Sequence, residues 1–594
     1  MTQLFIDSQE VALPEDFTFE LIRENPFFTK GGSFTLDISL NLDIPVNARL
    51  YRHLNRFTAS SKFKNRSARL IVDGRTVLNG TEIILEVNEL SASIQLASGN
   101  SELNFLVGSD VKMNTIDLGD VPEVSSYDAW WSLYEYYPEN NFVCAPVKAM
   151  NGSDPIFINN LRYCQLRISK GKVSLYNIEK YPEEIRPMPY LNFIIEKCIT
   201  ELGYTINHNS ITGSVYNRLF IVHGNKPKKF CDLMPDKTVA DFLTEVEELL
   251  NVMIQVHEDK TVDIIFAYEF YQNPTLFSPK CTTEQFEKKF LNPDEQPPAH
   301  TTSNIRYDFD DTSFTKEADI DPDIKNSLYE VKCRNLNGVH ASLNIMNIES
   351  IMKTIFVDEE TDQEFIAKKY GEGERDFKLW PVNTFKRISG KPGDDIEIEI
   401  VPADIEAFEV DVCKSIGWYY YTGYIQIPVA PSFVGTTEET ITAEEAIQGK
   451  TATSQKLNKI AVAFNSVKKM TIFPTGQETT SEVEILYHAW YPFLTTHYNA
   501  SWVSSQYMAL DDLEYPTLAF KSAGHGLYDR IYSKAPVIDT EEETTMHAIL
   551  DSVIPVATDI FIVNNKKFVC KDIHFKITPD GFDPEYQATL YAMQ

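Results

Sequence analysis

The sequence lacks any apolar run near the roughly 18 residues that a membrane-spanning helix requires, so no transmembrane helix is predicted. Residues 1–20 mix charged and apolar side chains and lack the continuous apolar stretch of a secretory signal peptide. We therefore expect a protein that is made in the cytoplasm and has no membrane segment.

Cysteine is scarce, with 8 cysteines among 594 residues, and no two of them form a Cys-x-x-Cys motif. A structural zinc site needs ligands clustered at short spacing, and a disulfide framework is typical of short secreted chains. The scattered cysteines are therefore predicted to be reduced thiols, most of them buried.

Catalytic signatures are absent as well. The sequence has no His-Glu-x-x-His motif, no Gly-x-Ser-x-Gly motif, no phosphate-binding P-loop and no Gly-x-Gly-x-x-Gly motif. Asp319, Asp321 and Asp323 alternate as calcium ligands often do, but the glycine at the sixth position of such a loop is missing. His525 lies between two glycines, which is typical of an exposed loop. We predict that the protein is not an enzyme and uses no cofactor and no metal ion.

Basic residues are much fewer than acidic residues. The chain has 54 Lys and Arg residues against 86 Asp and Glu residues, which gives a formal net charge of -32. A chain this acidic repels phosphate backbones and anionic membrane surfaces. Specific nucleic-acid binding is therefore not expected.

Apolar and polar residues alternate most clearly near the N-terminus. Apolar side chains occupy every second position from 34 to 42, namely Phe34, Leu36, Ile38, Leu40 and Leu42. A period of two predicts a strand whose apolar side chains all face one core, with the other face exposed to solvent.

Two turn dipeptides follow, Asp73-Gly74 and Asn79-Gly80, whose residues tolerate a positive φ angle. They predict short strands at 68–72, 75–78 and 81–88, with another at 92–97. Short strands with frequent turns are typical of an antiparallel barrel or sandwich, which we place at residues 1–120.

Helical periodicity appears after residue 187. Apolar residues spaced three and four apart run from Leu191 to Leu202 and end at Gly203, which predicts an amphipathic helix. Thr238 is a suitable N-cap for a second helix at about 239–252, with Asp241 three residues later. A strand at 262–266 is predicted to follow.

The remaining segments are mostly strand-like. A hairpin is predicted at 166–176, a proline-rich connector at 273–325, a β-rich region at 326–555 and closing strands at 556–594. The predicted fold class is mainly β with some α (α+β), in several domains.

Aromatic residues crowd together in three places. The candidates for contact with a partner protein or a sugar are Trp130, Trp131, Tyr134, Trp418 and Trp490. Tryptophan and tyrosine bury a large area at low entropic cost, which suits a contact site. Packing between domains explains the same clusters, and both interpretations stay open.

Several stretches of the sequence resemble hub-type tail proteins from phages and prophages of Bacteroides-like bacteria. The first is an Asn-Pro-x-Phe segment at Asn25 to Phe28, followed by the Gly31-Gly32 turn, the alternating strand and Pro45-Val-Asn47. The others are the two turn dipeptides, Pro187-Met-Pro-Tyr-Leu with its helix, Thr238-Val-Ala-Asp-Phe-Leu and the closing Phe568-Val-Cys-Lys-Asp-Ile.

This resemblance implies a virion structural protein, a baseplate hub or tail-tip protein of a phage tail. It implies a homotrimer with β-barrels lining a channel, which links the tail tube to the distal tip or spike. DNA passes through such a channel without specific binding. The expected partners are copies of the chain, tube, tip or spike and fibre proteins, in a virion tail made in the host cytoplasm.

The resemblance covers about half of the chain, mainly residues 1–125, 187–270 and 555–594, and together with the sequence patterns of the other segments it predicts a domain order. It consists of an N-terminal hub barrel at 1–120, an aromatic-rich β segment at 121–186, a helix/strand unit of a second hub barrel at 187–272, the connector at 273–325, a β-rich insertion or outer domain at 326–555, and strands completing a barrel at 556–594.

Two other functions fit parts of the sequence. A tail-fibre or cell-surface carbohydrate-binding protein would use the aromatic clusters, although fibres usually show repeats and this chain shows none. A tail-associated hydrolase would need a nucleophile or a metal constellation, and no such motif is present.

Overall fold

The computed structural model describes most of the chain. The described residues are 1–59, 66–107, 111–125, 128–129, 132, 135–151, 154–159, 165–169, 172–176, 185–292, 295–297, 305–307, 327–334, 336–359, 363–369, 375, 377–381, 396–414, 420–430, 459–472, 481–487, 518 and 526–593.

A 14-stranded sheet, called the main sheet below, joins both ends of the chain. Its strand order is Gln9–Glu10, Thr2–Ile6, Ser67–Val72, Arg75–Val87, Ser91–Ser98, Ser33–Thr35, Phe19–Glu24, Lys566–Thr578, Gly581–Met593, Ile538–Ile549 and Lys280–Phe290. Ile38–Asn41 pairs with Ser91–Ser98, and Ile560–Val563 pairs with Lys566–Thr578 and with Leu276–Phe277.

One of the two predicted turns is confirmed. Asp73 and Gly74 both have positive φ angles and connect Ser67–Val72 to Arg75–Val87, as a two-residue hairpin requires. The other prediction is wrong, because Asn79 and Gly80 lie inside the strand Arg75–Val87. A Cβ atom at Gly80 would lie 2.0 Å from the carbonyl oxygen of Ala97, so glycine is needed there for close approach of two strands.

The predicted alternating strand changes face in its middle. Ile38, Leu40 and Leu42 are buried as predicted, but Leu36 is 41% exposed, Phe34 is only partly buried, and Thr35 is fully buried instead. Against the strand Ser91–Ser98, Phe34 pairs with Ala97 and Ile38 with Ile94. The segment therefore contains one residue more than its partner, and such a bulge exchanges the inward and outward faces.

The other sheets lie mainly in the middle of the chain. A six-stranded sheet contains Asp154–Ile158, Val147–Asn151, Tyr420–Val429, Asp404–Lys414, Gln165–Ser169 and Lys172–Tyr176. A four-stranded sheet contains Tyr329–Cys333, Thr354–Asp358, Gln363–Lys369 and Phe377–Pro381. Two three-stranded sheets contain Thr205–Asn209, Thr261–Phe266 and Val252–Val256, and Leu219–Ile221, Ile460–Phe464 and Ile400–Pro402.

Three further pairs of strands complete the described β-structure. They are Phe142–Val143 with Met188–Pro189, Ile305–Tyr307 with Ile396–Ile398, and Ser466–Ile472 with Ser481–Tyr487. The segment predicted as a connector thus contains the long strand Lys280–Phe290 and the short strands Leu276–Phe277 and Ile305–Tyr307.

The described α-helices are Pro45–Leu50, Asn100–Val107, Leu191–Glu201, Val239–Leu250, Ala267–Phe270, Leu336–Ile345 and Ile348–Ile351. Single turns of 3-10 helix occur at Val215–Arg218 and Phe230–Leu233, and a π-helix at Tyr528–Tyr532. Both predicted helices are confirmed, and the Thr238 side chain accepts a hydrogen bond from the Asp241 amide, as an N-cap does. Among the described residues, no helix is long and apolar enough to span a bilayer.

Two large hydrophobic cores and one small one hold these elements together. The core of the main sheet combines N-terminal residues such as Leu70 with C-terminal residues such as Phe575. The larger core surrounds the helices Leu191–Glu201 and Val239–Leu250, called the helical unit below together with the sheet of Val252–Val256. The small core lies between these two and contains Phe27 and Phe28.

The structure confirms a mainly β fold with some α. In the part of the chain that is described, the strand order of the main sheet runs from Gln9–Glu10 to Lys280–Phe290, and these two strands do not pair with each other. The sheet is therefore open where the sequence predicts a barrel. The closing strand Lys566–Thr578 pairs with Phe19–Glu24, and its buried residues share the core of the N-terminal strands. Lys280–Phe290 pairs with Ile538–Ile549.

Candidate functional site

The Asn-Pro-x-Phe segment forms the turn that ends the strand Phe19–Glu24. The amide of Phe27 donates to the side-chain oxygen of Asn25 over 3.0 Å, and the amide of Phe28 donates to the Asn25 carbonyl oxygen over 3.0 Å. Pro26 has no amide proton, so it leaves no unsatisfied donor in this tight turn. The local sequence therefore specifies the turn.

The side-chain amide of Asn25 is fully buried and connects three distant parts of the chain. Its nitrogen lies 2.8 Å from the Tyr271 hydroxyl, 2.9 Å from the carbonyl oxygen of Ala557 and 2.6 Å from that of Cys570. Tyr271 follows the helix Ala267–Phe270, whereas Cys570 belongs to the main sheet. One uncharged group thus connects the main sheet to the helical unit.

Aromatic packing surrounds this amide. The ring centroid of Phe27 lies 5.2 Å from that of Tyr271 and 5.8 Å from that of Phe270, and Phe28 lies 5.2 Å from Tyr591. Further members of this small core are Met253, Ala267, Leu291, Ala535, Ile560 and Val569. We call the whole arrangement the Asn25 junction.

A second amide strengthens the same interface. Asn100 donates from its side chain to the carbonyl oxygen of Ile254 over 2.6 Å and accepts from the amide of Val256 over 2.8 Å. It therefore satisfies backbone groups of the strand Val252–Val256 as a neighbouring strand would. Lys30 adds an ion pair with Glu247, at 3.4 Å between nitrogen and oxygen.

The electrostatics of the junction favour uncharged groups. Burial raises the pKa of Tyr271 and Tyr591 above their usual range, so both hydroxyls stay protonated at neutral pH. Burial also raises the pKa of the Cys570 thiol, which makes it unreactive. The two hydroxyls and the thiol of the junction are therefore uncharged near neutral pH.

An ion cluster connects the helical unit to the β-rich region, and the side chains of its Lys237 and Glu245 are largely buried. The Lys237 ammonium lies 2.5 Å from a Glu245 carboxylate oxygen and 2.6 Å from one of Glu399. Burial raises the pKa of Glu245 to about 7, although the nearby Lys237 opposes this shift, and Glu399 and Glu248 raise the pKa further. We call these three groups the Lys237 cluster.

The aromatic residues chosen from the sequence, Trp130, Trp131, Tyr134, Trp418 and Trp490, lie outside the described residues. Asp319, Asp321, Asp323 and His525 lie outside them too. Within the described ranges, no group of three or more histidine, cysteine or acidic residues is placed to hold a metal ion. The cysteines that are described, Cys144, Cys198, Cys231, Cys333 and Cys570, are free and buried, as predicted.

Sequence reasoning did not predict the role of Asn25, although Asn25 to Phe28 was part of the resemblance. A buried amide that serves distant carbonyl groups has no periodic signature in a sequence. The only local signal was the short Asn-Pro turn.

Comparison with known proteins gives only structural neighbours. No family model matches the chain, and no curated protein matches it. The chain is similar to the 43 kDa tail protein of prophage MuSo2 from Shewanella oneidensis, with 8% identity, a TM-score of 0.30 and coverage of 99% of this chain and 96% of that one.

It is also similar to the tail protein from Neisseria meningitidis MC58, with 7% identity, a TM-score of 0.30 and coverage of 100% and 96%. Both solved structures are tail proteins. A TM-score of 0.30 does not establish a common fold.

Proposed function

We propose that the protein is a non-enzymatic structural component of a phage tail, a hub or tail-tip protein that links the tail tube to the distal tip or spike. The observation that carries this proposal is the Asn25 junction. Two stretches that carry the sequence resemblance, around Asn25 and Phe568, contribute residues to the core of this junction. A third, the helix that follows Thr238, is joined to the first by the ion pair between Glu247 and Lys30.

The open edge of the main sheet supports a role in assembly. The strand Lys280–Phe290 stands at the end of the strand order, and every side chain from Phe286 to Phe290 is exposed. Phe286 is 53% exposed and Phe290 is 75% exposed. A long edge strand with exposed aromatic residues is suited to pairing with another chain, because unpaired amide and carbonyl groups remain available.

We propose a homotrimer in which neighbouring copies cover these edges, so that barrel-like closure is reached in the assembly and not within one chain. Further partners would be tube, spike and fibre proteins, and Trp130, Trp131, Tyr134, Trp418 and Trp490 are proposed as contacts to them or to a sugar. The virion tail would be the location of the protein.

Native mass spectrometry and electron microscopy of the purified chain test the assembly. We expect a discrete oligomer, most simply a trimer, and ring-shaped particles that bind the end of a tail tube. Phe286→Asp should weaken this oligomer because it places a charge in an apolar interface. Val553→Asp alters an equally exposed apolar residue away from the edge strand and serves as the control. A wild-type chain that stays monomeric at high concentration contradicts the proposal.

Zymography tests the proposed lack of enzymatic activity. We expect no clearing of peptidoglycan or polysaccharide by the purified protein. Clearing that disappears when a single Asp, Glu or His is replaced would favour a tail-associated hydrolase.

A further inference from the structure

A basic segment interrupts this acidic chain. Between Ile44 and Arg66 the sequence contains six Lys and Arg residues and no Asp or Glu, although the whole chain has a net charge of -32. The structure describes this segment up to Ala59, and we call residues 45–59 the basic arm. It begins with the helix Pro45–Leu50 and continues as a series of turns.

The base of the basic arm is fixed to the main sheet by a buried carboxylate. The Tyr51 hydroxyl donates to Glu82, and the Arg66 guanidinium forms an ion pair with the same carboxylate. Arg66 also donates to the carbonyl oxygen of Leu50 over 3.1 Å and lies over the Tyr51 ring. Because Tyr51 and Arg66 bind the same group, the position of the arm on the sheet is set before any partner binds.

The backbone of the arm is ordered by its own hydrogen bonds. The amide of His53 donates to the carbonyl oxygen of Ala48 over 2.8 Å, and Arg52 and His53 both have positive φ angles. The side-chain nitrogen of Asn55 lies 3.3 Å from the carbonyl oxygen of Glu89 in the adjacent turn of the main sheet. A chain that leaves its helix through two non-glycine residues with positive φ is strained, and surrounding contacts must hold it there.

The outer surface of the arm combines positive charge with an apolar residue. Arg49, Arg52 and Arg56 are exposed, and the side chain of Phe57 is fully exposed. Arginine and aromatic residues are enriched in protein interfaces, where an aromatic anchor inside a ring of polar groups contributes most of the binding energy.

A favourable interaction with the helix dipole does not account for all these charges. Arg49 lies in the last turn of Pro45–Leu50, where a positive charge is favourable. That effect falls off beyond the last turn, so it offers no reason for Arg56 or for the exposed ring of Phe57.

We propose that the basic arm docks on the acidic surface of a second copy of this chain. Charge complementarity identifies the occupant, because the arm carries only positive charge and the rest of each copy is strongly acidic. A nucleic acid fits less well, since the field of the whole chain repels phosphate groups. This inference rests on the homo-oligomer of the proposed function and adds the surface that holds its copies together.

Analytical ultracentrifugation of the full chain tests the inference with Arg56→Glu, Phe57→Ala and the control Lys567→Glu. Lys567 is an exposed lysine beside the turn at Asn564 and Asn565 of the main sheet. Its variant therefore reverses a single charge at a position outside the arm. Each arm variant should raise the dissociation constant of the oligomer about 30-fold, the loss expected when an interface hot spot is removed. The control should leave the dissociation constant unchanged.

The salt dependence sharpens this test. Self-association of the wild type should weaken as salt rises from about 0.05 M to about 0.5 M, because ions screen the attraction between exposed charges, and Arg56→Glu should reduce that dependence. Thermal unfolding of both arm variants should match the wild type at a protein concentration low enough for all three to be monomeric, since neither side chain is buried.

Three outcomes overturn the inference. If the oligomer forms equally well with both arm variants, the proposed homo-oligomer is retained, but the proposed docking role of the basic arm is wrong. A wild-type monomer refutes both. Binding of a duplex DNA oligonucleotide that Arg56→Glu abolishes and Lys567→Glu does not would assign the arm to nucleic acid.

Discussion

The Asn25 junction and the Lys237 cluster both connect parts of the chain that are distant in sequence, but they do so with opposite chemistry. At the junction, an uncharged amide and aromatic rings connect the main sheet to the helical unit. At the cluster, a buried ammonium connects Glu245 of that unit to Glu399. The Asn25 junction forms without removing any charge from water, whereas the Lys237 cluster removes charged groups from water.

This difference predicts different responses to conditions. Neutral hydrogen bonds and apolar contacts should hold the main sheet to the helical unit over a wide range of pH and salt. A buried ion cluster is marginal, because desolvation offsets much of the attraction between its charges. The pKa of Glu245, at about 7, shows that burial outweighs the neighbouring Lys237. We therefore expect the connection to Glu399 to be the more sensitive of the two.

Removal of the aromatic anchor of the junction should have the largest effect. Phe27→Ala would leave a cavity beside Tyr271 and Phe270, and we expect a loss of about 4 kcal/mol in the free energy of unfolding. Chemical denaturation measures this value. Val553→Ala is the control, since this exposed side chain should contribute less than about 0.5 kcal/mol. Equal losses from the two variants would show that the junction is not a packed core.

Removal of the amide should have the next largest effect. Asn25→Ala would leave the carbonyl groups of Ala557 and Cys570 without their donor inside the protein, and we expect a loss of about 3 kcal/mol. The change should be the same at low and high salt because no charge is involved. Asn79→Ala is the control, because it removes an exposed amide that donates to the Glu258 carbonyl oxygen. Its loss in the free energy of unfolding should be only a few tenths of the loss expected for Asn25→Ala. A marked salt dependence for Asn25→Ala would contradict the neutral character of the junction.

The Lys237 cluster should show the smallest effect, visible as a dependence on pH. Because the pKa of Glu245 is raised in the folded state, the folded protein binds a proton more tightly than the unfolded chain between the ordinary pKa of about 4.5 and about 7. The contribution of Glu245 to stability therefore falls as pH rises through this window. Glu245→Gln should gain about 1 kcal/mol relative to the wild type between pH 5 and pH 8.

Denaturation of both proteins at the two pH values measures this difference. The comparison isolates Glu245, because other titrating groups, such as the buried His223, whose pKa burial lowers to about 4, act equally in both proteins. Glu201→Gln, at a half-exposed helix position paired with Lys197, is the control and should show no such gain. A constant difference between Glu245→Gln and the wild type would refute the prediction.

Local features of the structure followed from the sequence. The helix Val239–Leu250 was predictable because its cap, Thr238, and its apolar spacing lie within one segment. The Asp73-Gly74 hairpin was predictable for the same reason, since a two-residue turn is specified by the backbone preferences of its own residues.

Structural features that depend on partners distant in the chain could not be predicted from the sequence. The bulge between Thr35 and Asp37 is defined only by pairing with the strand Ser91–Ser98. Asn79-Gly80 has the composition of a turn, but the close approach of Ala97 decides its conformation. The partners of Asn25, Tyr271 and Cys570, lie 246 and 545 residues away, so neither period nor spacing could reveal them.

The pairing of Phe19–Glu24 with Lys566–Thr578 has a consequence for biosynthesis. On the ribosome, the N-terminal strands emerge long before the strand that completes their sheet, and until then Leu21 lacks its partner Phe575. Sheets that pair over such separations form slowly and expose apolar surface in the meantime. Prematurely terminated chains lack the second half of this sheet, so only full-length translation products can present a finished subunit.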